Sequence, residues 1–116
     1  MANLPDNVEW VAGLIPELEA RKVQFVVDTD EVDDELIEVF IDELRRLTNE
    51  LVQGLNENDL GLIRSAAHSI KGMGGTIGLP EISVLGLEIE NTAKEERIED
   101  GRPFIEALAH WMTTIE

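Results

Sequence analysis

His68 stands in the stretch of the sequence best suited to chemistry. At about 100° per residue, an apolar stripe runs along one side of a predicted helix and His68 falls well away from it, so the imidazole should face solvent or a partner. Arg64 and Lys71, four residues before and three after, would lie beside it, and the Lys71 ammonium is expected to face solvent without a partner in the core. The stripe itself consists of Leu60, Ile63, Ala67, Ile70, Gly74 and Ile77.

Three glycines follow the same side of this helix as His68. Gly61, Gly72 and Gly75 stand seven residues before it and four and seven residues after it. Each glycine inside a helix costs roughly 0.5–1 kcal/mol relative to alanine. Side-chain-free positions around a histidine let another protein surface come close to the ring, and we therefore predict that these glycines permit docking.

A neutral imidazole is nucleophilic, and cations beside it favour the neutral form. Arg64 and Lys71 could also hold an anion attached to the ring. The pattern thus suggests a histidine that accepts an anionic group. The alternative from these residues alone is an ordinary surface histidine.

Other arrangements match known sites less well. The run Gly72–Gly78 fails the dinucleotide pattern at Ile77, and neither a preceding strand nor a following Gly-Lys-Ser/Thr is present. The acidic run Asp28–Glu35 lacks the glycine of a calcium loop and has Val39 where that loop needs glutamate. His110 has one other histidine and no cysteine to share a zinc ion with. We expect no bound cofactor or metal.

Helical periodicity dominates the chain and predicts an all-α fold. Four helices are expected at about 32–55, 59–77, 80–97 and 104–115, and their short connections favour an antiparallel four-helix bundle. Asp30 or Asp33 should cap the first helix and Asn58 the second, Pro80 should begin the third, and residues 100–103 should form a break. The predicted buried face of the first helix is Val32, Leu36, Val39, Phe40, Leu44, Leu47, Leu51 and Leu55.

The N-terminal residues predict an additional helix that Gly13 and Pro16 interrupt. The run 23–27 is strand-like, but a single strand cannot form a sheet, so we interpret it as an apolar connector packed on the bundle. The whole chain should be one domain, with the N-terminal helix and connector at about 1–31 and the bundle at about 32–116.

The composition excludes several function classes. The 116 residues include 25 acidic and 9 basic side chains, for a net charge of −16, which argues against binding to nucleic acids or to anionic membranes. Cysteine is absent, and no apolar run approaches the roughly 20 residues of a membrane span. No secretory signal is visible at the N-terminus. We expect a cytoplasmic protein, and Met1 favours a free-standing one.

The segment His68-Ser69-Ile70-Lys71-Gly72, ending in Ile77-Gly78, resembles the signature of the histidine phosphotransfer (HPt) domain, which is roughly H-x-[LI]-K-G, then small residues, then an apolar residue and glycine. The stretch from Asp34 to Phe40 and the run from Leu87 to Ala93 also resemble that family. The likeness covers about residues 32–98. Met73 stands where the family usually has serine or alanine.

The resemblance implies that His68 exchanges a phosphoryl group with the aspartate of a response-regulator receiver domain. Lys71 would lie close to that group and Gly72 would keep the approach open; Arg64 is added from helix geometry as a second phosphate-stabilising residue. Mg²⁺ is expected on the receiver, and the partners would be a receiver domain or a hybrid sensor histidine kinase. The chain would be a carrier without an ATP site. A non-catalytic receiver-binding module and a small helical phosphatase are the alternatives.

Overall fold

The computed structural model describes residues 9–25, 34–77 and 79–114, and these contain helices but no strand. The expectation of an all-α fold is confirmed. Two short 3₁₀ helices, Lys22–Phe25 and Gly75–Ile77, accompany the α-helices. The α-helices of the described residues are α1 Glu9–Ala12, α2 Leu18–Arg21, α3 Asp34–Glu57, α4 Leu60–Gly74, α5 Pro80–Lys94 and α6 Ile98–Met112.

The last four of these helices form an antiparallel bundle. Helix α3 packs on α4, α4 on α5, α5 on α6, and α6 again on α3, so the four enclose one core. The connections between them are only a few residues long, which forces successive helices to run in opposite directions. The core includes the fully buried side chains of Leu44, Leu51, Ile63, Ile70, Ile82, Leu85, Ile89, Ile105 and Leu108.

Helix α3 buries a slightly different face at its start than the sequence analysis predicted. Leu36 and Val39 are exposed, and Val39 keeps 61% of its surface accessible, whereas Ile37 and Ile41 are buried. The buried stripe that includes Leu44 continues backwards in steps of three and four to Ile41 and Ile37. The predicted stripe was therefore wrong at Leu36 and Val39, which lie beside it. Val32 and the proposed caps Asp30 and Asp33 fall outside the described residues.

Helix α4 begins at a cap one residue later than predicted. Asp59 is the N-cap, and its Oδ1 accepts a hydrogen bond from the backbone N–H of Leu62 at 3.1 Å. Asn58 instead adopts a positive φ of 54° in the turn after α3, a conformation that asparagine tolerates better than most residues. The predicted cap at Asn58 was wrong, because Asn58 makes the turn and Asp59 makes the cap.

Helix α6 begins earlier than predicted, at Ile98, and continues through the residues that were expected to form a break. Pro103 lies inside the helix. Gly101 is a packing position rather than a turn, because a Cβ there would lie 2.4 Å from Thr92 Oγ1 on α5. Glu99 and Asp100 in the first turn suit the positive end of the helix dipole. Helix α5 correspondingly ends at Lys94, before Arg97.

The N-terminal residues form two short helices instead of one, separated by a turn in which Glu17 has a positive φ of 61°. The strand-like run begins as the 3₁₀ helix Lys22–Phe25, which packs against α5, so the connector prediction holds for its described part. Residues 26 and 27, like most of the acidic run 28–35, lie outside the described residues.

Candidate functional site

His68 projects from the middle of α4, and 66% of its side chain is accessible to solvent. Its neighbours Ala67 and Ile70 face the core and are fully buried. The apolar residues of α4 hold the helix against the bundle and so fix the outward direction of the imidazole. The predicted exposure of His68 is confirmed.

A buried carboxylate on α5 holds both His68 and Lys71. Glu90 Oε2 lies 2.9 Å from His68 Nδ1, and Glu90 Oε1 accepts a hydrogen bond of 2.9 Å from Lys71 Nζ. Only 5% of the Glu90 side chain is exposed. The two α4 side chains thus share one carboxylate that is almost completely shielded from water.

This contact fixes which nitrogen of His68 carries the proton. An ionised carboxylate only accepts hydrogen bonds, so Nδ1 must carry the hydrogen that it donates to Glu90. In the neutral ring, Nε2 then has a free lone pair. The arrangement presents a nucleophilic nitrogen on the solvent side and an anchored N–H on the buried side.

Two opposing influences act on the Glu90 carboxyl group. Burial favours the neutral acid and raises its pKa, while the hydrogen bonds from Lys71 and His68, together with their positive charge, lower it. The hydrogen bonds and charges prevail, and the pKa of Glu90 lies below the ordinary value of 4.5. Glu90 is therefore ionised at neutral pH.

Lys71 is positioned differently from the solvent-facing lysine that its spacing suggested. Its side chain is 26% exposed and its ammonium is paired with Glu90, a buried residue. The expectation of an unpaired ammonium was wrong, because sequence spacing around His68 carries no information about what α5 presents to α4. Lys71 and His68 both contact the Glu90 carboxylate.

Helix α5 can bring Glu90 under His68 because small residues line its contact with α4. A Cβ at Gly86 would lie 2.7 Å from the Lys71 backbone nitrogen and 2.9 Å from the Ala67 carbonyl oxygen. Glu90 follows Gly86 by one helical turn on the same side of α5. Glu90 was not predicted as a site residue, although it stands in the run from Leu87 to Ala93. The available signal was the spacing Ser83, Gly86, Glu90, Ala93, in which a carboxylate follows a run of small residues.

Two of the three glycines predicted for docking are exposed. Gly72 has no atom within 4 Å of the place where a Cβ would be, and Gly61 meets only Asp59 Oδ1 at an ordinary 3.5 Å. Gly75 is different: it is buried in the 3₁₀ helix after α4, and a Cβ there would lie 1.9 Å from the Phe25 carbonyl oxygen. Gly75 therefore does not lie on an exposed His68 stripe, because the N-terminal connector covers it.

An open groove of about 420 Å³ lies beside His68, between α4 and α5. Arg64 lies in its wall, as predicted from helix geometry, while Lys71 does not line it. The groove is lined by Gly61, Arg64, Ser65, His68 and Ser69 from α4 and by Glu90 and Lys94 from α5. Its small neutral residues leave room for a group attached to the outer nitrogen of the ring.

The described residues contain no cluster of three or more histidine, cysteine or acidic side chains that could hold a metal ion. His110 is exposed on α6. None of the helices described is long and apolar enough to cross a membrane.

Comparison with models of known protein families gave a match over most of the chain. The family model described as the Hpt domain matches residues 35–116, which is more than half of the chain and includes all of the helical bundle except Asp34, the first residue of α3. Neither the curated proteins nor the solved structures gave a significant match.

Proposed function

The chain belongs to the Hpt domain family, whose general function is histidine phosphotransfer in phosphorelays, and on this basis we propose that His68 is the residue that carries the phosphoryl group. The observation that supports this assignment best is the geometry of the ring. Nδ1 is held by a buried carboxylate, and the opposite nitrogen is directed toward an open groove.

The proposed donor is the phosphorylated aspartate of a response-regulator receiver domain. Nε2 attacks phosphorus, the Nε2–P bond forms as the bond between phosphorus and the aspartyl oxygen breaks, and the aspartate leaves as a carboxylate. The reverse sequence returns the group. Mg²⁺ on the receiver would stabilise the charge of the group in transit, so the chain itself needs neither an ATP site nor a metal.

Glu90 would stabilise the ring as it reacts. Attack by Nε2 leaves a positive charge on the imidazole, and the Glu90 carboxylate already accepts the Nδ1 hydrogen bond. Because the carboxylate is buried, its attraction for that charge is screened less than it would be in water. Lys71 pairs with the same carboxylate and helps to keep the pKa of Glu90 low, so that Glu90 stays ionised beneath the ring.

Exposed glycines would give the receiver access to the ring. A Cβ at Gly72, one turn beyond His68, would meet no other atom within 4 Å. Gly61 lines the groove on the other side of His68. A partner could therefore approach the ring without displacing side chains at these positions. Arg64 would contribute positive charge at the same surface. The partner is a receiver domain, free or within a hybrid kinase, in the cytoplasm.

The test is transfer of label from a phosphorylated receiver in the presence of Mg²⁺. The wild-type protein should acquire acid-labile, alkali-stable phosphate, and His68→Gln should acquire none while keeping its helical content. His110→Gln, which removes the other histidine, is the matched control and should be labelled normally. Label retained by His68→Gln would refute the assignment.

The same reaction distinguishes the alternatives. A non-catalytic receiver-binding module would leave the label on the receiver while still forming a complex. A phosphatase would release it as free phosphate without a labelled intermediate on this chain. Either outcome would contradict the proposed carrier function.

A further inference from the structure

The structure describes all nine lysine and arginine side chains, and they are not equally neutralised. Arg45 interacts with a neighbour. Within the described part of the chain, Arg64 and Lys94 are the two that form no ion pair or hydrogen bond through their side chains. Six others are paired with acidic residues: Arg21, Lys22, Arg46, Lys71, Arg97 and Arg102.

Both unpaired cations lie in the walls of the groove beside His68. Arg64 stands one turn before His68 on α4, and Lys94 stands one turn after Glu90 on α5. Because α4 and α5 are antiparallel and His68 contacts Glu90, these steps lead to the same level of the groove. Four residues of helix correspond to about 6 Å. The backbone positions of Arg64 and Lys94 therefore lie about 6 Å along the groove from those of His68 and Glu90.

This arrangement is electrostatically unusual for this chain. Acidic residues outnumber basic ones by 25 to 9, so ion-pair partners are abundant, yet two like charges face one another across a groove. The uncharged residues of the groove wall are small: Gly61, Ser65 and Ser69. The acidic residue of the wall, Glu90, is paired with His68 and Lys71. Lys71 does not supply this charge, because its ammonium is held by Glu90. An anion entering the groove would therefore meet Arg64 and Lys94.

We propose that Arg64 and Lys94 together form the anion site that receives the phosphoryl oxygens as the group approaches Nε2 of His68. This proposal rests on the function proposed above and adds Lys94 to the site. The two cations would draw an anionic donor toward the ring and stabilise the phosphoryl group during transfer. Lys71 would then pair with Glu90 beneath the ring and would not contact the phosphoryl oxygens.

A small anionic donor tests the site without a protein partner. With phosphoramidate, the P–N bond breaks as the Nε2–P bond forms, and the nitrogen leaves as ammonia. The initial rates of phosphorylation at His68 and at exposed His110 are measured in the same sample. Lys94→Ala and Arg64→Ala should each lower the rate of phosphorylation at His68 about two- to fivefold, as loss of an exposed ionic contact predicts. The rate at His110 should not change.

Two further measurements separate the site from general effects. Arg46→Ala removes one positive charge on α3, away from the groove, and should leave the His68 rate unchanged. Added salt should slow phosphorylation of His68 in the wild type and have less effect when both Arg64 and Lys94 are replaced. Lys94→Arg should retain most of the rate because the charge is kept.

The outcomes distinguish this inference from the function on which it rests. If His68 reacts at the wild-type rate in both alanine variants, or if Arg46→Ala slows it equally, the anion site is overturned and the carrier function stands. If wild-type His68 accepts no phosphoryl group from phosphoramidate or from a receiver, the carrier function fails and the anion site fails with it.

Discussion

The carboxylate of Glu90 accepts hydrogen bonds from two residues of α4 that stand three positions apart, His68 and Lys71. Burying an ionised carboxylate is costly unless its charge is compensated, and here the compensation comes from an exposed imidazole and a half-buried ammonium. At the scale of single residues, the stability of the site and the orientation of its histidine therefore depend on the same three side chains.

Replacing Lys71 tests its contact with Glu90. Lys71→Ala leaves a buried carboxylate with one partner fewer, and we expect the free energy of unfolding at pH 7 to fall by about 1–3 kcal/mol. Lys71→Arg should recover part of this loss. Lys94→Ala is the matched control, because Lys94 is exposed and has no ion pair among the described residues, and it should change stability little. Equal urea midpoints for the two alanine variants would contradict the buried pair.

The lowered pKa of Glu90 predicts how its contribution to stability depends on pH. The folded state holds the Glu90 proton less tightly than the unfolded state, so the stabilisation is fully present above the ordinary pKa of 4.5 and is lost as pH falls through the lower folded value. The difference in unfolding free energy between the wild type and Glu90→Gln should therefore shrink between pH 5 and pH 3. Glu38→Gln controls for the loss of one surface charge. A difference that grows toward pH 3 would contradict the assignment.

At the scale of elements, glycines allow close contacts between α4 and the segments around it, and two of these contacts bear on the site. Gly86 admits the backbone of α4 at Ala67 and Lys71, and Gly75 admits the carbonyl of Phe25. The first contact sets the level at which α5 crosses α4, and hence which α5 side chain lies under His68. The second attaches the N-terminal connector to the end of α4.

Alanine substitutions at Gly75 and Gly72 should have opposite effects on stability. A Cβ at Gly75 would overlap the Phe25 backbone, so Gly75→Ala should destabilise the protein by about 1–3 kcal/mol. Gly72→Ala meets nothing within 4 Å and should stabilise α4 by up to about 1 kcal/mol. Chemical unfolding of both variants checks this; similar shifts in the same direction would be inconsistent with the two environments.

At the scale of the whole molecule, the N-terminal residues share the core of the bundle although they precede the family match. Val11, Ile15 and Leu18 are buried in the same apolar cluster as the bundle helices, and the Trp10 and Trp111 rings lie 5.8 Å apart. Ion pairs from Arg21 to Glu88 and from Lys22 to Glu81 join the segment to α5. We therefore expect the segment and the bundle to unfold together.

Ile15→Ala tests this cooperativity. Ile15 is 2% exposed, and truncation of such a side chain should lower the free energy of unfolding of the whole chain by about 2–5 kcal/mol in a single transition. Val23→Ala, at a position that is 66% exposed, should change it by no more than about 0.5 kcal/mol. A bundle transition that stays at the wild-type denaturant concentration in Ile15→Ala would indicate that the N-terminal segment is a separate unit.

The sequence by itself determined the helical class, the approximate extent of α3, α4 and α5, and the outward direction of His68. Apolar periodicity reports which side of a helix is buried, and the motif around His68 is local. Only the tertiary structure showed that Glu90 lies beneath the ring and pairs with Lys71. It also showed that the N-terminal connector covers Gly75 and that α6 continues through Gly101 and Pro103. Each of these depends on the level and closeness at which two helices cross. That is set by packing between residues distant in sequence, and no spacing within one helix records it.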